Sequence, residues 1–414
     1  MSHCNEAECY EREFESMAAD PAVWRDVDAF LIPPPRLGEA RAARAAVETE
    51  NAQAARRIAP LLKSPLRFLD ANVAGDPAFQ TAGAVRMLCA EAHSFLDRWP
   101  KFSAALAAAA AEIAKRLDAP VASRQFLLAM ALRERANALR FLGSFREALE
   151  ALAEAEKLIR AGDPSLAPFE LAIVFYIRGT VLIQLDETTA DALAISIRAC
   201  EAFHEYGDQS REMSARLLNG LALLHLRRPA EALRAFEQVI TDARRVDHKR
   251  MMAHGFKNAA LASTNLHDLE NAERHFADAL AIYDELEMTI EKARVAWALA
   301  SIPVARGRLE EGAMALDSAR RDLLRLGLKD DHGLATLEWA EVCLALGRSD
   351  VQQACRQIML EFESEGMMQK ARLALAYVHE ALARQRATPE LLRSVRAYLT
   401  QLPRRPDLAF TPVA

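Results

Sequence analysis

The residues best suited to chemistry in this chain are histidines and cysteines that lie close together in the sequence. His267 and His275 are eight residues apart in the stretch HDLENAERH, and His3, Cys4 and Cys9 lie near the start. Imidazole and thiolate groups bind Zn²⁺, but a zinc site needs a second pair of ligands at similar spacing, and none is present. A turn is expected near His267. We therefore interpret His267 and His275 as solvated side chains, and we predict no bound metal and no cofactor.

The sequence lacks the motifs that many enzyme families need. It contains no G-x-x-x-x-G-K-[ST] phosphate loop, no G-x-S-x-G nucleophile motif, no H-E-x-x-H zinc motif and no Gly-rich nucleotide fingerprint. Each of these motifs brings polar groups of particular types to one point, as catalysis requires. We predict that the chain is not an enzyme.

The composition favours long helices joined by short connections. The chain has 414 residues, of which 51% are hydrophobic, and it contains 15 Gly and 17 Pro. Because Gly and Pro mark turns, their scarcity disfavours a turn-rich β protein. Alanine, the best intrinsic helix former, is abundant, as in the stretch Phe102–Leu117. These features predict an all-α fold.

The charge balance disfavours a general nucleic-acid binder. The formal net charge is −6, from 52 basic and 58 acidic residues mixed along the chain. A protein that binds nucleic acid without sequence preference usually has a basic surplus, because contacts to phosphates dominate its affinity. We therefore expect a protein partner and consider nucleic acid only for a local basic surface.

Several features predict a cytoplasmic protein without membrane contact. The N-terminal stretch MSHCNEAECYEREFES is acidic and has no apolar core of a signal peptide. No apolar run approaches the roughly 20 residues that span a bilayer. The six cysteines lie far apart, mostly within apolar helical patterns, which predicts reduced and buried thiols; they are Cys4, Cys9, Cys89, Cys200, Cys343 and Cys355.

One pattern of residue sizes recurs along the chain. A small residue is followed four positions later by a large apolar one, as in Ala232 with Phe236 and Ala272 with Phe276. The small residues of successive copies, of which the last four are evenly spaced, are Ala148, Ala192, Ala232, Ala272 and Gly312. A second set of small residues, about twelve positions upstream, consists of Ala136, Gly179, Gly220, Ala260 and Ala300. Small residues at crossing points let antiparallel helices approach closely, and hairpins with two apolar faces must stack. The pattern predicts a stack of helical hairpins.

These positions resemble the tetratricopeptide repeat (TPR). The best matches are Asn219–Val239 and Ala259–Leu280, and Gly143 and Gly307 stand at the turn between two helices. The interval of about 40 residues exceeds the roughly 34 residues of the usual repeat. This difference implies helices longer by about one turn and is similar to long-period bacterial TPR arrays. The resemblance implies a right-handed α-solenoid of about seven helical hairpins, matched best from Ala131 to Met367.

The pattern divides the chain into four parts. The three consecutive prolines in LIPPPRL predict that no helix forms there, and Glu39–Leu62 is predicted to be the first helix. The last helix is expected to open at Thr388–Pro389, and the tail after it is expected to fray. The predicted parts are an acidic leader at 1–38, N-terminal helices and a divergent repeat at 39–120, the repeat array at 121–367, and a capping helical pair with a tail at 368–414.

The TPR resemblance implies a concave wall lined by the first helix of each hairpin. The side chains predicted on that wall combine hydrogen-bond donors and cations with aromatic surface, and they are Arg133, Asn137, Arg140, Tyr176, His254, Lys257, Asn258, Arg294 and Trp297. Amides can pair with a peptide backbone, cations with its acidic groups, and aromatic surface with apolar side chains. We therefore predict a groove that binds a peptide or protein segment; the alternative is a purely structural lining.

Part of this wall resembles the carboxylate clamp of chaperone-binding TPR proteins. Arg133 and Asn137 match two clamp positions, whereas Ile177, Ser214 and Leu218 stand at the others and depart from the clamp. The departure argues against the ligand of those proteins.

We predict a non-catalytic scaffold or adaptor that binds a protein or peptide. One alternative is a peptide-sensing regulatory subunit, although residues 1–38 are too short and acidic for an attached helix-turn-helix. The other is an accessory subunit of a nucleic-acid-processing complex, which would use a basic patch consisting of Arg244, Arg245, Lys249 and Arg250. Asp242 and Asp247 dilute the positive charge of this patch, so we interpret it as a solvated loop.

Overall fold

The computed structural model describes residues 34–63, 73, 75–96, 98–162, 167–185, 189–348, 351, 355, 369–402 and 408–410. These residues form sixteen α-helices and two short 3-10 helices, and they contain no strand. The α-helices are α1 (Pro34–Ile58), α2 (Ala82–Ser94), α3 (Pro100–Arg116), α4 (Val121–Phe141), α5 (Phe145–Ala161), α6 (Ala167–Leu185), α7 (Thr189–Glu205), α8 (Gln209–His225), α9 (Pro229–Arg245), α10 (Lys249–Asn265), α11 (Leu269–Glu285), α12 (Thr289–Ala305), α13 (Leu309–Arg325), α14 (Lys329–Ala345), α15 (Gln369–Ala383) and α16 (Pro389–Gln401). The 3-10 helices are Leu61–Lys63 and Pro77–Phe79.

The contacts between Cα atoms divide the chain into two units, Met1–Ile177 and Arg178–Ala414. In the first unit, each helix from α1 to α4 packs on the next one, and α2 also packs on α4. In the second unit, each helix from α7 to α13 packs on the next one. The first helices of successive hairpins also meet there, α8 with α10 and α12 with α14, and α16 packs on α14. Both units are therefore stacks of helical hairpins, and the predicted all-α repeat fold is confirmed.

A fixed period governs the helices of the second unit. Each helix from α7 to α14 has 17 residues. The first residues of these helices are evenly spaced, at Thr189, Gln209, Pro229, Lys249, Leu269, Thr289, Leu309 and Lys329. Two helices with their connections therefore span the same interval that separates Ala232 from Ala272 in the sequence.

Every connection between these helices has the same backbone geometry. After α8, for example, the Arg228 N–H donates to the Leu223 carbonyl at 2.9 Å, and the Arg227 N–H donates to the Leu224 carbonyl at 3.0 Å. This arrangement is the Schellman motif, in which the residue after the helix cap adopts a left-handed conformation. Glycine fills that position in three connections, while four others place Arg227, Asp247, His267 and Glu287 there, with φ between 54° and 59°.

The predicted small residues lie where the helices cross. Ala136, Ala148, Ala232 and Ala272 have no accessible surface. A Cβ atom on Gly220 would lie 2.3 Å from Cε1 of Phe236, a residue that is itself completely buried. The repeated pair of a small and an aromatic residue therefore packs as the sequence predicts.

Both ends of the described chain differ from the prediction. Helix α1 begins at Pro34, because a proline in the first turn loses no intrahelical hydrogen bond; the prediction that the prolines exclude a helix is wrong there. Leu408 and Phe410 pack against the core of the second unit, with the Phe410 ring centroid 5.2 Å from that of Tyr398. The hydroxyl of Tyr398 donates to the Leu408 carbonyl at 3.3 Å. The tail is therefore packed, and not frayed, at residues 408–410.

Two sequence predictions, buried reduced cysteines and no membrane-spanning segment, can be compared with the structure. Cys89, Cys343 and Cys355 are buried free thiols and Cys200 is partly buried, as predicted, while Cys4 and Cys9 lie outside the described residues. Among the described helices, α6 is long and apolar enough to cross a membrane by length and composition, a test that core helices of soluble proteins also pass. Its residues Val174 and Val181 are completely buried in the protein.

Candidate functional site

The structure divides the predicted wall residues between the two units. Arg133, Asn137 and Arg140 lie on α4 and Tyr176 lies on α6, all in the first unit. In the second unit, α10 carries His254, Lys257 and Asn258, and α12 carries Arg294 and Trp297.

Arg133 is part of a buried ionic network. Its guanidinium lies 2.6 Å from Glu170 Oε2 and 3.2 Å from Glu134 Oε1, and Nδ1 of His93 lies 3.2 Å from Glu134 Oε2. Burial raises the pKa of the Glu134 carboxyl, but His93 and Arg133 outweigh burial and hold that pKa below its ordinary value. Arg133 therefore joins two helices of its own unit and already holds two carboxylates.

Asn137 and Arg140 bind each other. The buried Oδ1 of Asn137 accepts hydrogen bonds from Arg140 Nε at 3.2 Å and from the Arg140 terminal nitrogen at 2.9 Å. The same guanidinium lies 4.2 Å from the ring centroid of Phe141, a side chain that is 40% exposed. Tyr176 is half-buried. The first unit therefore uses its predicted donors largely within the protein.

On α10, His254 forms a polar pair with a tyrosine of α11. Its Nδ1 lies 2.7 Å from the Tyr283 hydroxyl. Burial, with the positive charges of Lys257 and Arg250, lowers the pKa of His254 to about 3. Burial also raises the pKa of Tyr283. At neutral pH the phenol is therefore protonated and the imidazole neutral, and a single hydrogen bond joins the phenol oxygen to Nδ1.

Lys257 lies one helical turn after His254 and is half-buried. Burial lowers the pKa of its ammonium group, Arg294 lowers it further, and Glu291 opposes both effects. Among the residues that the structure describes, none places a carboxylate within ion-pair distance of its Nζ. The neighbouring Asn258 is buried and donates its side-chain N–H to the His254 carbonyl at 2.9 Å. Lys257 therefore has no ion-pair partner among the described residues.

On α12, the predicted residues contact α14. The Arg294 guanidinium lies 2.7 Å from Asp331 Oδ2. The indole N–H of Trp297 donates to Glu338 Oε2 at 2.9 Å, and Ser301 donates to Glu338 Oε1 at 2.6 Å. Arg396 of α16 binds the same Glu338 carboxylate at 2.8 Å. These contacts join the first helices of two neighbouring hairpins, α12 and α14, and tie α16 to them.

The positive charge of Arg294 on α12 acts on Lys257 of α10. We call the side chains of His254, Lys257, Leu261, Arg294 and Trp297 the α10–α12 face. The sequence reasoning missed the groups that support it, namely Tyr283, Glu291, Asp331, Glu338 and Arg396. Glu338 could have been found from the sequence, because the position one repeat period after Trp297 is the residue next to it. Arg396 could not have been found in this way, because it lies outside the predicted repeat array.

The basic patch is partly neutralised. Lys249 forms an ion pair with Glu285, and Arg245 lies 3.8 Å from Asp242. Asp242 also binds Arg216 at 2.7 Å, at the edge of a cleft of about 430 Å³ lined by residues of α8 and α9. The charges along this cleft pair mainly with one another, which leaves no surplus of positive charge for phosphates.

The residues considered for metal binding are not brought together. Within the described ranges, no group of three or more His, Cys, Asp or Glu side chains could hold a metal ion. His267 is exposed in a connection, whereas His275 is buried with its ring 5.9 Å from that of Phe256. The interpretation of His275 as a solvated side chain is therefore wrong. His3, Cys4 and Cys9 lie outside the described residues.

The chain is similar in fold to several solved structures. No protein-family model matches the sequence, and no curated protein matches it either. Aspartyl phosphate phosphatase F from Bacillus subtilis has a TM-score of 0.53 at 15% identity, covering 75% of this chain and 77% of that chain. The Rap conjugation gene regulator of plasmid pLS20, in complex with the Phr* peptide, has a TM-score of 0.50 at 13% identity, covering 80% and 99%.

A third structure of similar fold is that of a protein with a tetratricopeptide repeat domain. A signal transduction ATPase from Pyrococcus horikoshii with a tetratricopeptide repeat sensor has a TM-score of 0.51 at 13% identity, covering 87% of this chain and 53% of that chain. Identities this low show the fold alone. The TPR-like fold inferred from the sequence is confirmed.

Proposed function

We propose that this chain is a cytoplasmic, non-catalytic regulator or scaffold that binds a peptide or protein segment on the first helices of its hairpins. The observation that carries the proposal is the α10–α12 face, where a cation, a neutral imidazole and an indole occur together. The likeness to a Rap regulator in complex with a peptide supports it and favours a peptide-sensing regulator over a passive scaffold.

The spacing on this face suits an extended ligand. Lys257 and Trp297 occupy the same position in successive hairpins, since the interval between them equals that between Ala232 and Ala272. Packed helix axes lie about 8–10 Å apart, and an extended chain rises about 3.3 Å per residue. About three ligand residues would therefore pass from one hairpin to the next. A peptide can meet such a periodic surface with alternate side chains.

The test is a selection of random dodecapeptides displayed on phage against the immobilised chain, followed by binding measurements with synthetic copies. Arg294 is 53% exposed and pairs with Asp331 on the face, whereas Arg321 is 65% exposed and pairs with Asp317 on α13. Both pairs are exposed Arg–Asp contacts, so the two arginines form a matched comparison. We expect Arg294→Glu to weaken binding of the selected peptides at least fivefold and Arg321→Glu to leave it unchanged.

Two outcomes would contradict the proposal. A selection that enriches no peptide would refute peptide binding. Equal binding by the wild type and the Arg294→Glu variant, with a loss in Arg321→Glu, would place the ligand on the second helices instead.

The non-catalytic part needs its own assay, because one structure of similar fold is named a phosphatase. We expect acetyl phosphate to be hydrolysed at the same rate with and without the chain. A rate that rises in proportion to chain concentration would refute this part and leave the peptide proposal standing.

A further inference from the structure

We propose that the ligand places a carboxylate on Lys257, so that the α10–α12 face selects an acidic peptide segment. This inference rests on the proposed function and goes beyond it by naming the chemistry of the ligand. The carboxylate can come from an Asp or Glu side chain or from a free C-terminus, and the experiment below separates the two sources.

Lys257 differs from the cations around it. The ammonium groups of Lys249 and Lys292 pair with Glu285 and Asp284, and the Arg294 guanidinium pairs with Asp331. Glu291 is close enough to raise the pKa of Lys257 but does not form an ion pair with it. Lys249, Lys292 and Arg294 therefore each have a carboxylate partner, whereas Lys257 has none among the described residues.

A half-buried ammonium group without a counter-charge is costly. Burial removes water from the charge, and an uncompensated charge in a protein interior destabilises the folded state. An apolar side chain of similar length would avoid this cost and keep the packing of α10. A ligand carboxylate would restore the missing partner and form a charge-assisted hydrogen bond with Nζ.

The surroundings of Lys257 also favour an anion. His254, one turn earlier on α10, is neutral at neutral pH, and its Nδ1 shares a hydrogen bond with the Tyr283 hydroxyl. The cationic neighbours that depress the pKa of His254 include Lys257 and Arg250, so the local potential is positive. A carboxylate at Lys257 would therefore lie in a region of positive potential.

The rest of the face indicates what lies beside the acidic group. Trp297 and Leu261 are half-buried; Leu261 lies one turn after Lys257 on α10, and Trp297 occupies the position equivalent to Lys257 in the next hairpin. Because one hairpin corresponds to about three residues of an extended ligand, we expect an aromatic or aliphatic residue about three positions from the carboxylate. The ligand motif is thus an acidic residue with an apolar neighbour at that spacing.

The experiment begins with peptides selected against the wild-type chain. Each peptide is resynthesised in three forms: unchanged, with Asp and Glu replaced by Asn and Gln, and with an amidated C-terminus. Binding is measured by fluorescence anisotropy to the wild type, to Lys257→Met and to Lys292→Met. Lys292 is a matched control, because it is a half-exposed lysine of α12 that already pairs with Asp284. Circular dichroism confirms that the variants are folded.

We expect the unchanged peptides to bind Lys257→Met about 10- to 100-fold more weakly than they bind the wild type, as for a lost charge-assisted hydrogen bond. Binding to Lys292→Met should equal that of the wild type. One of the two neutralised forms should lose a similar factor on the wild type and lose nothing further on Lys257→Met. The form that loses affinity identifies the source of the carboxylate.

The inference and the proposed function fail in different ways. If the selected peptides bind Lys257→Met and the wild type equally, or if neither neutralised form loses affinity, the carboxylate inference is overturned while peptide binding stands. If no peptide is enriched at all, both are overturned.

Discussion

The left-handed residues in the helix connections allow a quantitative test of how this fold is stabilised. Arg227, Asp247, His267 and Glu287 adopt φ between 54° and 59°, where glycine stands in the equivalent connections at Gly207, Gly307 and Gly327. All four side chains are exposed. Replacing any of them with glycine therefore relieves backbone strain and removes no buried side chain.

The magnitude follows from two opposing terms. A residue with a Cβ atom pays about 1–2 kcal/mol to adopt the left-handed conformation. Glycine, in turn, loses about 0.5–1 kcal/mol more in conformational entropy on folding. We therefore expect Arg227→Gly and Glu287→Gly each to raise the free energy of unfolding by about 0.5–1 kcal/mol. The gain should be smaller at Asp247 and His267, because Asp and His tolerate this conformation better than Arg and Glu do.

The assay is urea unfolding followed by far-UV circular dichroism. The urea midpoint should rise for Arg227→Gly and Glu287→Gly without a change in the m-value, since the surface exposed on unfolding stays the same. Gly307→Ala is the reciprocal control and should lower the midpoint. If Arg227→Gly and Glu287→Gly leave the midpoint unchanged or lower it, the backbone strain does not limit the stability of these connections and the reasoning is refuted.

Three further predictions concern packing and buried charge. Gly220→Ala should lower the free energy of unfolding by about 1–3 kcal/mol, because the new methyl group meets the Phe236 ring; a urea midpoint equal to that of the wild type would contradict this packing. Arg133→Gln should lower the free energy of unfolding by about 3–5 kcal/mol at neutral pH, because Glu134 loses its main cation. The pKa of Glu134 in the folded protein lies below the ordinary 4.5, so the difference in unfolding free energy between variant and wild type should shrink as pH falls below that value. A difference that stays constant with pH would argue against the ion pair. The pKa of Lys257 in the folded protein lies below the ordinary 10.5, so between those two values the unfolded protein binds more protons than the folded protein. The free energy of unfolding of the wild type should therefore rise relative to that of Lys257→Met as the pH increases through this range. Parallel pH profiles of the two proteins would show that burial of this amine has no energetic effect.

The hairpin repeat could be predicted because its signals are local. A small residue where helices cross and an aromatic residue one turn later are required by contacts between neighbouring helices, as Gly220 and Phe236 illustrate. Turn positions were predictable where glycine marked them, as at Gly143 and Gly307. They were hidden at Arg227 and Glu287, since neither residue type signals a left-handed conformation. At these two positions the constant helix length places the connection, and the residue adopts a left-handed conformation that its type does not favour.

The chemistry of the site depended on contacts that sequence spacing does not specify. Arg133 and Lys257 occupy the same predicted position of the repeat, yet Arg133 is held by Glu134 and Glu170 while Lys257 has no such partner among the described residues. The carboxylate at Glu170 is 37 residues from Arg133 in the sequence, and only the fold brings the two side chains together.

The sequence by itself therefore determined the all-α hairpin repeat and the helices that carry the candidate wall. Helical periodicity, and the small residues at helix crossings, depend on contacts within a helix and between neighbouring helices, and both recur as local sequence patterns. The tertiary structure decided which cations form ion pairs within the protein and that Lys257 forms none with a described residue. Charge pairing depends on distances of a few ångströms between helices, and only their packing sets those distances.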